Sequence, residues 1–104
     1  MYRMRTVVKL TPEGWPGAIE TFARINDVAK QRGWQQGSVW TQTFGPLNEL
    51  SFELEYADMA TYERETAAFY ADEEAMKLVL AGTKYRRPDD PGYNDCWQRV
   101  DEDG

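Results

Sequence analysis

Charged side chains at alternate positions in two stretches of this sequence are the first candidates for chemistry. Arg3 and Arg5 alternate with Met4 and Thr6 in YRMRTVVKL, and Glu53 and Glu55 alternate with Phe52 and Leu54 in ELSFELEY. In extended chain, alternate residues share one face. The same parity adds Trp40 and Gln42 from the intervening run, and Trp97 from the last apolar stretch. On such a face Arg5 could hold an oxyanion while Glu53 or Glu55 moves a proton. The catalytic candidates are therefore Glu53, Glu55 and Arg5, and the ligand-binding candidates are Arg3, Arg5, Trp40, Gln42 and Trp97. A structural reading stands beside each role. The charges could satisfy one another across the sheet, and the two tryptophans could pack a dimer interface instead of walling an aromatic ligand.

Other reactive groups are few. Tyr85, Arg86 and Arg87 precede Pro88 and Pro91, where a loop could close over a pocket and clamp a carboxylate, or serve only as a connector. Asp89-Asp90 and Glu73-Glu74 are adjacent acids without fixed ligand geometry, so no metal is expected. Cys96, the single cysteine, has no histidine to activate it and reads as a small core residue. The sequence contains no histidine at all. That excludes Ser-His-Asp and Cys-His nucleophiles, imidazole-bound zinc and proximal-histidine haem, and no cofactor is expected.

The elements that must position these residues follow from periodicity. Tyr2 to Leu10 alternates as a strand. Thr11 to Pro16 is punctuation, and Ile19, Phe22, Ile25 and Ala29 recur at helical spacing from about Pro16 to Arg32, with Gly33 as the stop. Strands are predicted at Gly37 to Phe44 and Glu49 to Tyr56, joined by the turn Gly45-Pro46-Leu47-Asn48. If Phe44 faces Glu49, then Thr41 faces Phe52, Val39 faces Leu54 and Trp40 faces Glu53. Val39, Leu50, Phe52, Leu54 and Tyr56 then share a face that wants helices over it. A slip of one residue would turn Trp40 inward. Asp58 caps a helix carrying Met59, Tyr62, Thr66, Phe69 and Tyr70, and Asp72 caps a second that buries Met76, Val79 and Leu80 and ends at Gly82. Thr83 to Gly92 reads as loop, Tyr93 to Val100 as a last strand, and Asp101 to Gly104 as a frayed tail.

This order is the ferredoxin-like βαββαβ arrangement, an α+β fold with a four-stranded antiparallel sheet and helices on one side. With 104 residues the chain reads as a single domain, 1–104. Helices can cover only one sheet face. The other mixes tryptophan with arginine and glutamate, and pairing two such faces in a homodimer, as a dimeric α/β barrel, would resolve the conflict. The net charge of −6 argues against nucleic acid or anionic membrane as partners. No apolar run is long enough for a bilayer span or a signal peptide, and one cysteine suits a reducing compartment. A soluble cytoplasmic protein is expected.

Val39-Trp40-Thr41, Phe44-Gly45-Pro46-Leu47-Asn48-Glu49 and Tyr56-Ala57-Asp58 together resemble the NIPSNAP family of the dimeric α/β-barrel superfamily, and Tyr2-Arg3-Met4-Arg5-Thr6 resembles that family's first strand. The likeness spans roughly residues 2 to 80. Val7, Phe52 and Leu54 depart from it, standing where an aromatic residue, a histidine and a tryptophan are frequent. The resemblance implies the ferredoxin-like fold and a dimer. In the wider superfamily, haem-binding branches use histidine and match poorly. What stays open is binding of a small aromatic or amphipathic molecule between sheet and helices, a cofactor-independent monooxygenase or cyclase/isomerase of polyketide-type metabolism, or a non-catalytic structural or stress-linked interaction protein.

Overall fold

The computed structural model describes residues 1–90 and 92–101. Of the expected tail, residues 102–104 lie outside the described residues, as does Pro91 of the expected loop. The elements run β1 (Tyr2–Lys9), α1 (Trp15–Arg32), β2 (Ser38–Thr41), β3 (Glu49–Tyr56), α2 (Met59–Ala71), α3 (Glu73–Gly82) and β4 (Gly92–Gln98), with 3-10 turns at Pro12–Gly14 and Thr83–Tyr85. The four strands form one antiparallel sheet in the order β2-β3-β1-β4. This is the expected α+β, ferredoxin-like arrangement.

Local chemistry sets the boundaries. Gly33 takes φ 75°, the left-handed conformation that glycine adopts without strain, and ends α1. Asp58 and Asp72 accept the backbone N–H of Thr61 at 2.7 Å and of Ala75 at 2.9 Å, capping α2 and α3 as predicted. These bonds hold both aspartates below the usual carboxylate range, and Arg32 adds to the effect at Asp72. Gly82, by contrast, keeps helical backbone angles and passes the chain into the second 3-10 turn.

The helix-covered face of the sheet carries the core, with Val8, Leu50 and Phe52 packed against Ala18 and Phe22 of α1 and with Leu10 beside them. Phe22 and Phe52 stack at 4.6 Å between ring centroids. Fully burying side chains such as Leu50 or Val8 contributes roughly 1.5–3 kcal/mol each. Gly37 matters here because a Cβ at that position would overlap the Phe52 ring. The Asn26 amide fixes the approach, donating to the Gly37 carbonyl and accepting its N–H, both at 2.8 Å.

Four details differ from expectation. First, β2 stops at Thr41, and its pairing with β3 is shifted by two residues, so Trp40 faces Ser51 and Ser38 faces Glu53. An even shift leaves every side chain on its predicted face. The connection is longer, 42–48, because Asn48 is held elsewhere: at φ 60° its carbonyl accepts from the Leu10 N–H and its side chain accepts from the Trp15 indole at 2.9 Å. Gln42 therefore lies beyond the strand. Second, Leu80 is exposed, while Ala75 takes the buried position of α3. Third, Cys96 is exposed rather than in the core: it pairs with Met4 on the helix side of the edge strand β4. Fourth, β4 starts at Gly92 and ends at Gln98, earlier than the predicted Tyr93 to Val100.

Candidate functional site

The outer face of the sheet, away from the helices, collects most of the residues singled out by alternation. Register places Ser38, Glu53, Arg5 and Asp95 in one row, Trp40, Ser51, Val7 and Tyr93 in the next, and Glu55, Arg3 and Trp97 in a third. Arg5 makes a two-pronged pair with Asp95 at 2.8 and 2.5 Å, and its guanidinium carbon lies 5.2 Å from the Trp97 ring centroid. The Arg5 bond, with help from Trp97, holds the Asp95 carboxyl below its usual range. Arg3 binds Glu55 at 2.5 Å and lies 3.7 Å from Glu53, which also accepts from Ser51 Oγ at 3.0 Å. Lys9 pairs with the buried Glu49.

Arg3, Arg5, Glu53 and Trp97 border a shallow depression of about 350 Å³ that neither Trp40 nor Gln42 reaches. Its guanidinium groups are already met by carboxylates of the same chain, so it offers a ligand little uncompensated charge. Aromatic surface remains open beside it: Trp40, Tyr93 and Trp97 are 56%, 51% and 59% exposed.

The other face presents a different space. A cavity of about 470 Å³ lies between the sheet and the helices. Its walls are mainly apolar, from Met4, Phe52 and Leu54 of the sheet to Phe22, Ile25 and Phe69 of the helices. Toward one end Tyr56 and Tyr62 meet edge to face at 5.5 Å, and Glu65 accepts the Gln35 N–H at 2.7 Å. Burial pushes the Tyr56 hydroxyl up to about 12, reinforced by the nearby Glu65 carboxylate and Tyr62. Tyr56 therefore stays a neutral donor at physiological pH.

Arg86 also lines this cavity. Its backbone is tied to the end of β1, where Arg86 bridges Leu10, the Thr11 N–H binds the Tyr85 carbonyl at 3.1 Å, and the Arg87 N–H binds the Lys9 carbonyl at 2.9 Å. The stretch 83–87 is thus pinned to the sheet rather than hung over it as a lid. Its side chains take different directions. Tyr85 packs against the core, Arg87 points outward and pairs with Asp89 at 2.7 Å, and Arg86 turns inward, partly buried. Among the described residues no carboxylate or other acceptor meets its guanidinium, and burial alone pulls it down from the usual arginine range.

Alternation in the strands found the outer-face residues. It missed the polar groups of the cavity, Asn26, Gln35, Tyr62 and Glu65, although Tyr62, Glu65, Thr66 and Phe69 stand at the three-and-four spacing of one helix stripe. Among the described residues, no group of three carboxylate, cysteine or histidine side chains could hold a metal ion. No described helix is long and apolar enough to cross a membrane.

This combination of one antiparallel sheet, helices on one side and a cavity between them has close structural parallels. An uncharacterized NIPSNAP domain protein from Burkholderia xenovorans superposes with TM-score 0.78 at 15% identity, over 97% of this chain and 96% of that one. A NIPSNAP family protein from Agrobacterium tumefaciens gives 0.74 at 10%, over 96% and 93%. An antibiotic biosynthesis monooxygenase gives 0.71 at 16%, over 96% and 99%. No protein-family model matches the chain, and no curated protein matches it. The chain has the ferredoxin-like fold of NIPSNAP domain proteins, in line with the resemblance read from its strands.

Proposed function

We propose that this protein binds a small aromatic or amphipathic molecule in the cavity between its sheet and its helices. The cavity itself carries the reading. About 470 Å³ falls within the roughly 300–1,000 Å³ of ordinary ligand pockets, and a mainly apolar lining with a few convergent polar groups is their usual chemistry. Calorimetric titration with 2-naphthol, a neutral flat aromatic alcohol, tests it. Saturable binding is expected, and Thr66→Trp, which fills the cavity from α2, should abolish it while the circular dichroism spectrum stays unchanged. Absence of saturable binding, or binding indifferent to the filled cavity, refutes the reading.

The outer face supports a homodimer joined sheet to sheet. Its cations are met by acids of the same chain while Trp40, Tyr93 and Trp97 stay half exposed, a surface suited to a self-complementary partner. In this arrangement Arg3, Arg5, Glu53, Glu55 and Trp97 are interface residues. The structural likeness to an antibiotic biosynthesis monooxygenase favours a second reading, in which the cavity converts its ligand without a cofactor. Turnover of a hydroxylated polycyclic aromatic in air, lost with Thr66→Trp, would support it.

A further inference from the structure

We propose that the cavity takes an organic anion, with the carboxylate, phenolate or enolate oxygen of its ligand bound by Arg86 and its apolar body lying toward Tyr56 and Tyr62. This rests on the reading of the cavity as a ligand site and specifies its substrate class.

Three observations converge on it. The first is the state of Arg86, partly buried, turned into the cavity, and without an acceptor among the described residues. A guanidinium carries five donors in a rigid fork that fits two acceptor oxygens at once, and holding it partly out of water with only solvent to meet its nitrogens is less favourable than matching it. The other arginines around the sheet are not in this condition: Arg3, Arg5 and Arg87 each hold a carboxylate. Nor are acids scarce, since eighteen acidic residues face twelve basic ones.

The second observation is rigidity. The hydrogen bonds that join Thr11 to Tyr85 and Arg87 to Lys9 bracket Arg86 on both sides. The backbone under the guanidinium is therefore fixed in advance, which lowers the ordering cost of binding.

The third is polarity along the cavity. Arg86 is anchored at the Leu10 end of β1 and Tyr56 at the Tyr2 end. The carboxylate of Glu65 lies near Tyr56, close enough to raise its hydroxyl. An anionic group is repelled there and attracted at Arg86, so a ligand enters in one orientation. The neutral Tyr56 hydroxyl offers a donor to an oxygen at its far end.

The experiment compares naphthalene-2-carboxylate with naphthalene-2-carboxamide, which match in shape and differ in charge, by calorimetry at pH 7 against wild type, Arg86→Gln and Arg86→Lys. Wild type should prefer the carboxylate by at least about tenfold, the scale of one charge-assisted hydrogen-bonded contact. Arg86→Gln should bring the two affinities within about threefold of each other, and Arg86→Lys should keep part of the preference, because it retains the charge but loses the fork. Equal binding of the two ligands by wild type, or a preference that survives Arg86→Gln, overturns the anion assignment and leaves the cavity reading standing. Failure of both ligands to bind overturns both. Melting curves of the two variants establish that they are folded, which the backbone bonding of 83–87 leads us to expect.

Discussion

Replacing Arg86 with methionine should stabilise the unliganded protein. In the folded state the guanidinium is partly removed from water and gains no acceptor among the described residues, and a polar group left in that condition costs about 1–3 kcal/mol when fully buried. Partial exposure reduces this to about 1 kcal/mol. Methionine keeps an unbranched apolar stem in the same place, so the packing that the arginine stem supplies is largely retained. For a domain near this length, about 1 kcal/mol raises Tm by roughly 4–8 °C. Urea unfolding should show a higher midpoint with unchanged slope. Protein concentration must be held constant, because self-association shifts Tm by mass action. Arg87→Met is the control: that side chain is exposed and its ion pair with Asp89 lies at the surface, so its loss should barely move Tm. A fall of several degrees for Arg86→Met would refute the reasoning, since it would mean that the guanidinium already makes a favourable contact in the free protein. A site that is less stable with its functional residue than without it is a common signature of binding.

Other consequences are open to direct test. Gly37→Ala should destabilise by about 1–3 kcal/mol in chemical denaturation, because the added methyl meets the Phe52 ring at a place the Asn26 bonds do not let the chain leave. Tyr56 should be a late-ionising tyrosine in an ultraviolet titration, with a midpoint near 12 that disappears in Tyr56→Phe. Its folded-state value lies above the unfolded one, so its contribution to stability is fully present below pH 10 and is lost as pH rises from 10 toward 12. Asp95 has the opposite sign. Arg5 depresses its folded value, so its contribution is present above the unfolded value near 3.8 and lost as pH falls below it, and Asp95→Asn should flatten the acid limb of the stability curve. Light scattering should report a dimer for wild type and a monomer for the Trp40→Glu, Trp97→Glu double variant, whose new charges face the proposed partner sheet. An unchanged mass would count against an interface on the outer face.

Strand parity made much of the architecture legible in the sequence. Arg3, Arg5, Glu53 and Glu55 fall on the outer face, and Leu50, Phe52 and Tyr56 on the inner one, whether the hairpin pairs as expected or two residues out of register. Gly33 and the two capping aspartates mark helix ends by local chemistry that needs no tertiary context. Gln42 was misplaced because the hydrogen bonds that draw Asn48 toward Trp15 and Leu10 join elements far apart in sequence. Leu80 was misplaced because helical periodicity marks a stripe without saying how much of it a neighbour covers. The cavity was harder still. It exists because residues from three strands and three helices leave a space, and no single segment records that.

The two faces of the sheet distribute charge in opposite ways, and the contrast is informative about which one meets a ligand. On the outer face β1 presents Arg3, Arg5 and Lys9, and each finds an acid on a neighbouring strand, so that surface is neutralised before anything binds. Inside, the Arg86 guanidinium is unmatched among the described residues, although Asp89 lies three residues away and pairs with the adjacent Arg87 instead. The alternation of extended chain after the 3-10 turn explains this: Arg87 points to solvent where Asp89 can reach it, and Arg86 points inward where it cannot. Because no acceptor among the described residues meets the guanidinium, the energy of matching it is available to whatever enters the cavity. On the outer face that energy has been used in folding. Selectivity for an anion should therefore follow Arg86, while substitutions of Arg3 or Arg5 should act on stability and assembly.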